Sequence, residues 1–311
     1  IDNSYHLNEI HALATTGCYS PTGISVYPTA PGYGSSGAGF YPAAWHVICA
    51  LVCNVLSVSA AVAINAVTFS FVAFVFPMSC FALLSAVTEK KTCLALGALI
   101  CISAYAFPWR LLTFGVLYSN LAAFCLVCSV CSLFLSLTKD EGLSIQNRLL
   151  LAVLFLFGLF DLFLLQPNGI FSVGVLLLPY AVARLYSLCI AKNLSSFKSF
   201  AAAFGLSACF AAAWIVAYNL PMMHGIVSVS WNHYASASQM LVNFLCQSYS
   251  PDAPSNLLLG IFAFVGVIYS LERGELRWML ISYILTLVIH FSTGATEAVF
   301  KQWLAGFWYT D

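Results

Sequence analysis

Charge is almost absent from most of this chain, and where it occurs it clusters in short breaks between long apolar blocks. Only 7% of the 311 residues are charged, 61% are hydrophobic, and the mean hydropathy is +0.92. A soluble globule cannot bury that much apolar surface, so the remainder must face lipid. The composition therefore predicts a membrane protein, and the net charge of zero gives no support to nucleic-acid binding.

The apolar blocks have the length of membrane-crossing helices, since about 20 residues cover roughly 30 Å of hydrocarbon. They lie at 92–107, 118–137, 149–166, 169–191, 199–219, 256–271 and 278–293. None shows the strict alternation of apolar and polar residues that is typical of barrel strands. We therefore expect an all-α polytopic transmembrane bundle of about eight or nine membrane helices, with two long outer loops.

The organisation along the chain follows from these blocks. We expect one integral-membrane domain over 1–311, truncated at both ends because Ile1 is not an initiator and Asp311 directly follows an aromatic run. The stretch from 41 to 88 is long enough for two crossings, with a soft break near residues 57–63. Either the segment from Tyr41 to about Leu56 lies partly in the interface, or a bent helix takes up the excess length. The segments are the outer loop 1–41, the membrane-entering stretch 42–88, central helices over 92–219, the outer loop 220–255, two helices over 256–293 and the outer segment 294–311.

Basic residues divide the breaks into two alternating sets. One set holds Lys90, Lys91, Lys139, Arg148, Lys192, Lys198, Arg273 and Arg277. The other holds only Arg110 and Lys301. Because cytoplasmic loops carry the excess of Lys and Arg, the first set is predicted to face the cytoplasm and the second to face outward from the plasma membrane.

The cysteines do not form a recognisable framework. Ten of the twelve lie in apolar blocks, where they act as small hydrophobic residues. The run Cys125-x-x-Cys128-x-x-Cys131 lacks a fourth ligand for an iron–sulfur cluster, so helix packing is the favoured interpretation. Cys18 and Cys246 fall in the outer loops and could form a disulfide outside the cell.

Polar residues crowd the first ten positions, among them Asp2, Tyr5, His6, Asn8 and Glu9. If this segment is helical, Asp2, His6 and Glu9 share one face through i, i+4 and i+7 spacing. Such a group could act as a general base, or bind a divalent metal together with a phosphate. The alternative is a solvated, capped surface helix.

Further candidates lie at the outer ends of the apolar blocks. Tyr41 and Trp45 suit an aromatic belt, and His46 is either a substrate contact or a satisfied helix histidine. Arg110 suits an anionic partner such as a phosphate, unless it simply snorkels to the interface. Asp161 lies about five residues inside a block, where an ionisable residue marks a functional position or is held protonated or paired in a structural role.

The outer-face motifs, in this order, resemble an actinobacterial multi-spanning membrane family of unknown function. The motifs are Asp2-x-x-Tyr5-His6-Leu7-Asn8, Tyr41-Pro42-x-x-Trp45-His46, Phe107-Pro108-Trp109 with Gly115-x-x-Tyr118, Gln166-Pro167-Asn168, and Trp308-Tyr309-x-Asp311. That family is distantly similar to C-superfamily (GT-C type) glycosyltransferases, which take sugars from polyprenyl-phosphate donors. The chain departs from the family pattern at Gln166, where His is frequent, and at Ser119, where Pro is common.

The resemblance implies a glycosyltransferase that moves a sugar from a polyprenyl-phosphate donor to a cell-envelope acceptor on the outer face. It places catalysis at Asp2, with His6 beside it. The partners would be membrane lipid and the lipid-linked donor, and the only cofactor indicated is the divalent metal that Asp2, His6 and Glu9 could hold. The candidate substrate-binding residues of the outer face are Tyr5, Asn8, Tyr41, His46, Arg110, Asp161, Gln166, Asn168, Trp231, Asn232, His233, Trp308, Tyr309 and Asp311.

Two other functions fit the same composition. A transporter or flippase of a lipid-linked sugar or another amphipathic substrate would place polar residues near the bilayer midplane. Asp161 is the only acidic residue well inside an apolar block, which favours chemistry at the surface. A non-catalytic scaffold for envelope assembly is the third, and it predicts that replacing Asp2 and His6 together leaves function intact.

Overall fold

The computed structural model describes residues 2–20, 42–113, 116–139, 142–221, 235–248 and 255–294. Within these ranges the chain forms helices and turns and no strand, so the predicted all-α membrane bundle is confirmed. Residue contacts divide the chain into two compact units, Ile1–Ile170 and Phe171–Asp311.

Two helices of the first unit match the predicted blocks 118–137 and 149–166, whereas the helix Asp2–Thr16 lies inside the stretch predicted as the outer loop 1–41. A π turn over Phe71–Val75 lies within the long helix Ala60–Val87, and extended backbone at Phe107 interrupts the segment Tyr105–Thr113. The elements are α1 Asp2–Thr16, α2 Ala44–Leu56, α3 Ala60–Val87, α4 Lys91–Ile100 with a 3₁₀ turn Cys101–Ser103, α5 Arg110–Thr113 after a π turn Tyr105–Trp109, α6 Tyr118–Lys139 and α7 Ile145–Leu165.

The second unit also follows the predicted blocks, with one addition. The elements are α8 Asn168–Ala191, whose first turn belongs to the first unit, α9 Ser196–Tyr218, α10 Ala237–Leu245, α11 Leu257–Glu272 and α12 Arg277–Gly294. Helix α10 lies inside the stretch predicted as the outer loop 220–255. Its 9 residues are too few to stand out as an apolar block in the sequence.

Six helices of the described ranges are long and apolar enough to cross a membrane, or seven if Lys91–Ser103 and Tyr105–Thr113, bent by 45°, form one broken span. Adding the shorter α2 and α11 to these six or seven spans gives eight or nine apolar helices, the predicted number. Many apolar side chains point outward, and Phe197 is 80% exposed. This surface is what a lipid environment requires.

The stretch from 42 to 88 contains one short helix and one long one. Helix α2 has 13 residues and ends at Ser57, whose backbone is left-handed with φ +53. Ser59 then caps the next helix by accepting a hydrogen bond from the Val62 N–H. The following 28 residues, Ala60–Val87, are sufficient for a crossing, whereas α2 is too short for one.

Several helices begin, directly after a turn, at a residue whose side chain caps the first helical turn. Ser144 accepts a hydrogen bond from the Asn147 N–H at 3.2 Å, and Ser195 accepts one from Lys198 at 3.4 Å. Asn256 caps α11 in the same way. These caps satisfy amide groups that the first helical turn leaves unpaired, which is why the spans restart at these residues.

Two basic residues, Lys139 and Arg148, mark one end of the first unit, which we call the basic end. Lys139 Nζ donates to the Ala86 carbonyl at 3.2 Å, and Arg148 Nη1 donates to the Leu137 carbonyl at 3.3 Å. Both acceptors lie in the last turn of a helix, where carbonyls lack helical partners and the dipole favours a cation. Helix α6 has 22 residues, about 33 Å of rise, so its first residue Tyr118 lies at the opposite end.

Candidate functional site

Six side chains from three helices meet at the end of the first unit that contains Tyr118. We call them the histidine–aromatic cluster: Tyr5, His6 and Glu9 of α1, Trp45 and His46 of α2, and Tyr118 of α6. Helix α6 is the most buried of the candidate spans, so it gives the cluster a fixed wall. The cluster therefore joins two short helices to the centre of the unit.

Helices α1 and α2 lie side by side and run in the same direction. His6 of α1 meets His46 of α2, and two turns later Ala14 accepts a hydrogen bond from Asn54 Nδ2 at 3.0 Å. The two residues of each pair are 40 positions apart in the sequence. Because this offset is the same at both contacts, the two helices run parallel. This packing brings the motif at the start of the chain to the Trp45-His46 motif.

The two histidines form the centre of the cluster. His6 Nδ1 and His46 Nε2 lie 2.8 Å apart, so one ring donates a hydrogen bond and the other accepts it. The rings stack with centroids 5.0 Å apart, and both side chains are buried, His46 completely. If His6 accepts a proton at Nε2, a neutral His46 can accept the hydrogen bond that the resulting imidazolium donates from Nδ1.

The aromatic wall of the cluster is a stacked pair. The rings of Trp45 and Tyr118 are 4.5 Å apart and within 8° of parallel, and both meet His6 edge-on. Trp45 is 0% exposed. The prediction that Trp45 is an interfacial belt residue is therefore wrong, because it packs inside the protein.

Glu9 adds a carboxyl group to the buried side of α1. The Glu9 side chain is only 2% exposed, and Glu9 lies about one helical turn after Tyr5 and His6. Burial and the nearby Glu9 raise the pKa of Tyr5 to about 12, so Tyr5 keeps its proton at neutral pH. The cluster thus combines a carboxyl, two imidazoles and two phenols, which is an environment suited to proton transfer.

His46 should make the stability of the protein depend on pH. Burial, with the nearby His6, lowers its pKa from 6.5 to about 3, so the folded protein keeps it neutral. Unfolding allows protonation below pH 6.5, and we expect stability to fall by up to about 1.4 kcal/mol per pH unit from there towards pH 3. Thermal unfolding in detergent should show a smaller loss for His46→Phe. The exposed His11→Gln should keep the loss, and an unchanged loss in His46→Phe would contradict this account.

Arg110 lies at the same end of the unit. It follows the Phe107–Pro108 segment, and the carbonyl of the next residue, Leu111, accepts a hydrogen bond of 2.8 Å from the Leu117 N–H. Leu117 directly precedes Tyr118, so the backbone places Arg110 and the cluster at one level of the bundle. The Arg110 side chain is half-buried.

The Gln166-Pro167-Asn168 motif makes a different contribution. Asn168 Nδ2 donates to Asn120 Oδ1 at 3.0 Å, and both amides are buried. This bond attaches the first turn of α8 to α6, two residues along from Tyr118. Asn168 therefore holds the helix ends together, and Gln166 is half-buried in the turn that precedes it.

The remaining predicted site residues are not brought into the cluster by any described contact. Asn8 and Asp161 are exposed, on α1 and α7. Asp2 is the first residue of α1, one turn before His6, but its side chain lies outside the described part. Tyr41, Trp231, Asn232, His233, Trp308, Tyr309 and Asp311 also lie outside it.

The candidate metal ligands and the cysteines can be compared with the structure. Among the described residues, no three His, Cys, Asp or Glu side chains are arranged to hold a metal ion, and the metal prediction depends on Asp2, whose side chain is not among them. Cys18 and Cys246, between which a disulfide is possible from the sequence, are both free thiols in the structure. Cys125 and Cys131 are buried within α6, as the packing interpretation expects.

Three residues of this region are absent from the predicted site. Tyr118 and Trp45 occur in the motifs, where they indicate only aromatic residues at helix ends. Nothing in the sequence marks Asn120 except that it is an amide near the start of a helix. Glu9 is predicted together with Asp2 and His6, as part of either a general base or a metal site. Its spacing three residues after His6 was the available sign that both lie on one buried face.

Comparisons with known proteins leave the chemistry open. No curated protein and no solved structure matches the chain. A family model described as "Family of unknown function (DUF6541)" matches residues 1–311, which is the whole chain. The chain therefore belongs to the DUF6541 family, whose function is unknown, and is a helical membrane member of it.

Proposed function

We propose that the protein is a membrane glycosyltransferase that moves a sugar from a polyprenyl-phosphate donor to a cell-envelope acceptor, at the outer face of the plasma membrane. The observation that carries this proposal is the position of the histidine–aromatic cluster. Buried proton-transfer groups lie at the end of the bundle where α6 begins, opposite the basic end. A transporter would be expected to hold such groups near the midplane.

The reaction would be an inverting transfer. The acceptor hydroxyl attacks the anomeric carbon, the bond from that carbon to the phosphate oxygen breaks, and the hydroxyl proton passes to the Asp2–His6 pair. Asp2 precedes His6 by one turn of α1, and His46 supports His6 through the 2.8 Å hydrogen bond. The negative charge that remains on the lipid phosphate would be stabilised by Arg110.

The position of Arg110 supports its assignment to the lipid phosphate. A guanidinium at the membrane boundary can bind a phosphate in bidentate fashion. The exposed apolar side chains of the spans offer a surface along which a polyprenyl tail can lie. The phosphate would then sit at the helix ends, with the sugar towards the cluster.

The test is sugar transfer by the full-length protein in nanodiscs or proteoliposomes, supplied with a radiolabelled polyprenyl-phosphate sugar and a cell-envelope acceptor fraction. We expect labelled acceptor and free polyprenyl phosphate to appear together. Movement of intact donor across the proteoliposome bilayer without cleavage would instead identify a flippase. If the donor is neither cleaved nor moved across the bilayer, the scaffold function is favoured.

A further inference from the structure

The indole N–H of Trp45 has no hydrogen-bond partner within the described part of the chain, although the atom is fully buried. Stacking on Tyr118 does not satisfy it, because the N–H lies in the plane of the ring and Tyr118 covers the face. Buried polar groups are nearly always paired, since an unpaired donor is costly. An unpaired N–H at this position therefore requires an explanation.

We propose that Trp45 Nε1–H donates a hydrogen bond to a hydroxyl oxygen of the donor sugar, so that the cluster is the sugar-binding part of the site. The inference rests on the proposed function and adds where each part of the donor binds. The sugar would lie at Trp45, Glu9 and His6, and the phosphate at Arg110.

The charges of the cluster favour a neutral sugar over a phosphate. Glu9 is a buried carboxyl on the same face of α1 as His6, and in its ionised form it would repel a phosphate placed beside it. A sugar hydroxyl can both donate to a carboxylate and accept from an indole N–H. Trp donates and cannot accept, so it selects for an oxygen with a free lone pair.

The rings around Trp45 restrict how the sugar can approach. Tyr118 covers one face of the indole, and His6 and His46 meet it edge-on at 5.9 and 5.2 Å. Contact through the N–H edge is therefore favoured over stacking of the sugar on the ring face. Because the N–H is enclosed in the structure, a ligand reaches it only when α1 or its side chains move.

The test compares two ligands and two variants in the full-length protein, with affinity measured in nanodiscs. The ligands are a polyprenyl-phosphate sugar and the same polyprenyl phosphate without sugar. We expect Trp45→Phe to weaken binding of the sugar-bearing lipid by about 10-fold and to leave the sugar-free lipid unchanged. Arg110→Gln should weaken both, because both lipids carry the phosphate.

Other outcomes overturn the inference. Equal weakening of both lipids by Trp45→Phe would assign the N–H to the phosphate, and no weakening of either would remove it from the site. Unchanged binding of the sugar-free lipid also shows that the variant is folded. In the wild-type protein, the ¹⁵N–¹H signal of the Trp45 indole should move downfield only with the sugar-bearing lipid. Absence of sugar transfer by the wild type would contradict the proposed function separately.

Discussion

Replacing His6 by glutamine is expected to lower the rate of sugar transfer by at least about 100-fold, the range for loss of a general acid–base group. Glutamine keeps hydrogen-bonding atoms of similar reach but cannot take up a proton near neutral pH. His6 is buried against His46 and Tyr118, so no other described side chain occupies its place in the cluster. Transfer of label from a polyprenyl-phosphate sugar measures the effect.

The matched control for this variant is on the same helix. His11 is exposed on α1, so His11→Gln makes the same chemical change outside the cluster and should leave the rate within about two-fold of the wild type. Thermal unfolding of both variants separates lost chemistry from lost folding. A His6→Gln protein that folds and transfers sugar at the wild-type rate would remove His6 from the mechanism.

Trp45→Ala is expected to lower the free energy of unfolding by about 3–5 kcal/mol, as for a large aromatic residue removed from a core. The side chain is fully buried and packs on Tyr118, His6 and His46, so its loss leaves a cavity where α1, α2 and α6 meet. Thermal or denaturant unfolding in detergent, at the pH of maximal stability, measures the loss.

Trp109 offers the comparison for that prediction. It is 42% exposed and its indole N–H donates to the Ile102 carbonyl at 2.8 Å, so Trp109→Ala should lose mainly one hydrogen bond, about 1 kcal/mol. If Trp45→Ala destabilised the protein no more than Trp109→Ala does, the cluster would not be the structural centre of this end of the unit.

The sequence was sufficient to predict the spans because their signal is a local average. Each crossing helix needs a long apolar block, and the blocks at 118–137 and 199–219 agree with α6 and α9 to within a few residues. Helix α10 could not be found in this way, since 9 residues give too short a window. The soft break predicted near residues 57–63 agrees with the left-handed backbone of Ser57, which separates α2 from α3.

The candidate site was less predictable, because it depends on pairs of residues far apart in the chain. The spacing of polar residues in α1 predicts one face that contains His6 and Glu9, and the structure buries both. Nothing local could show that His46 meets His6 across 40 residues, or that Trp45 stacks on Tyr118. The same motif therefore suggested an aromatic belt, whereas parallel packing of α1 and α2 turns it inward.

The proposed mechanism requires the cluster and the basic helix ends to face opposite sides of the membrane. Asn8 on α1 and Lys139 at the end of α6 are both exposed, so a cysteine at either position can report its side. In a background with the exposed Cys18, Cys93 and Cys209 replaced by serine, intact cells would be treated with a membrane-impermeant maleimide. Asn8→Cys is predicted to react in intact cells and Lys139→Cys only after permeabilisation. Reaction of both from the same side of the membrane would contradict the account.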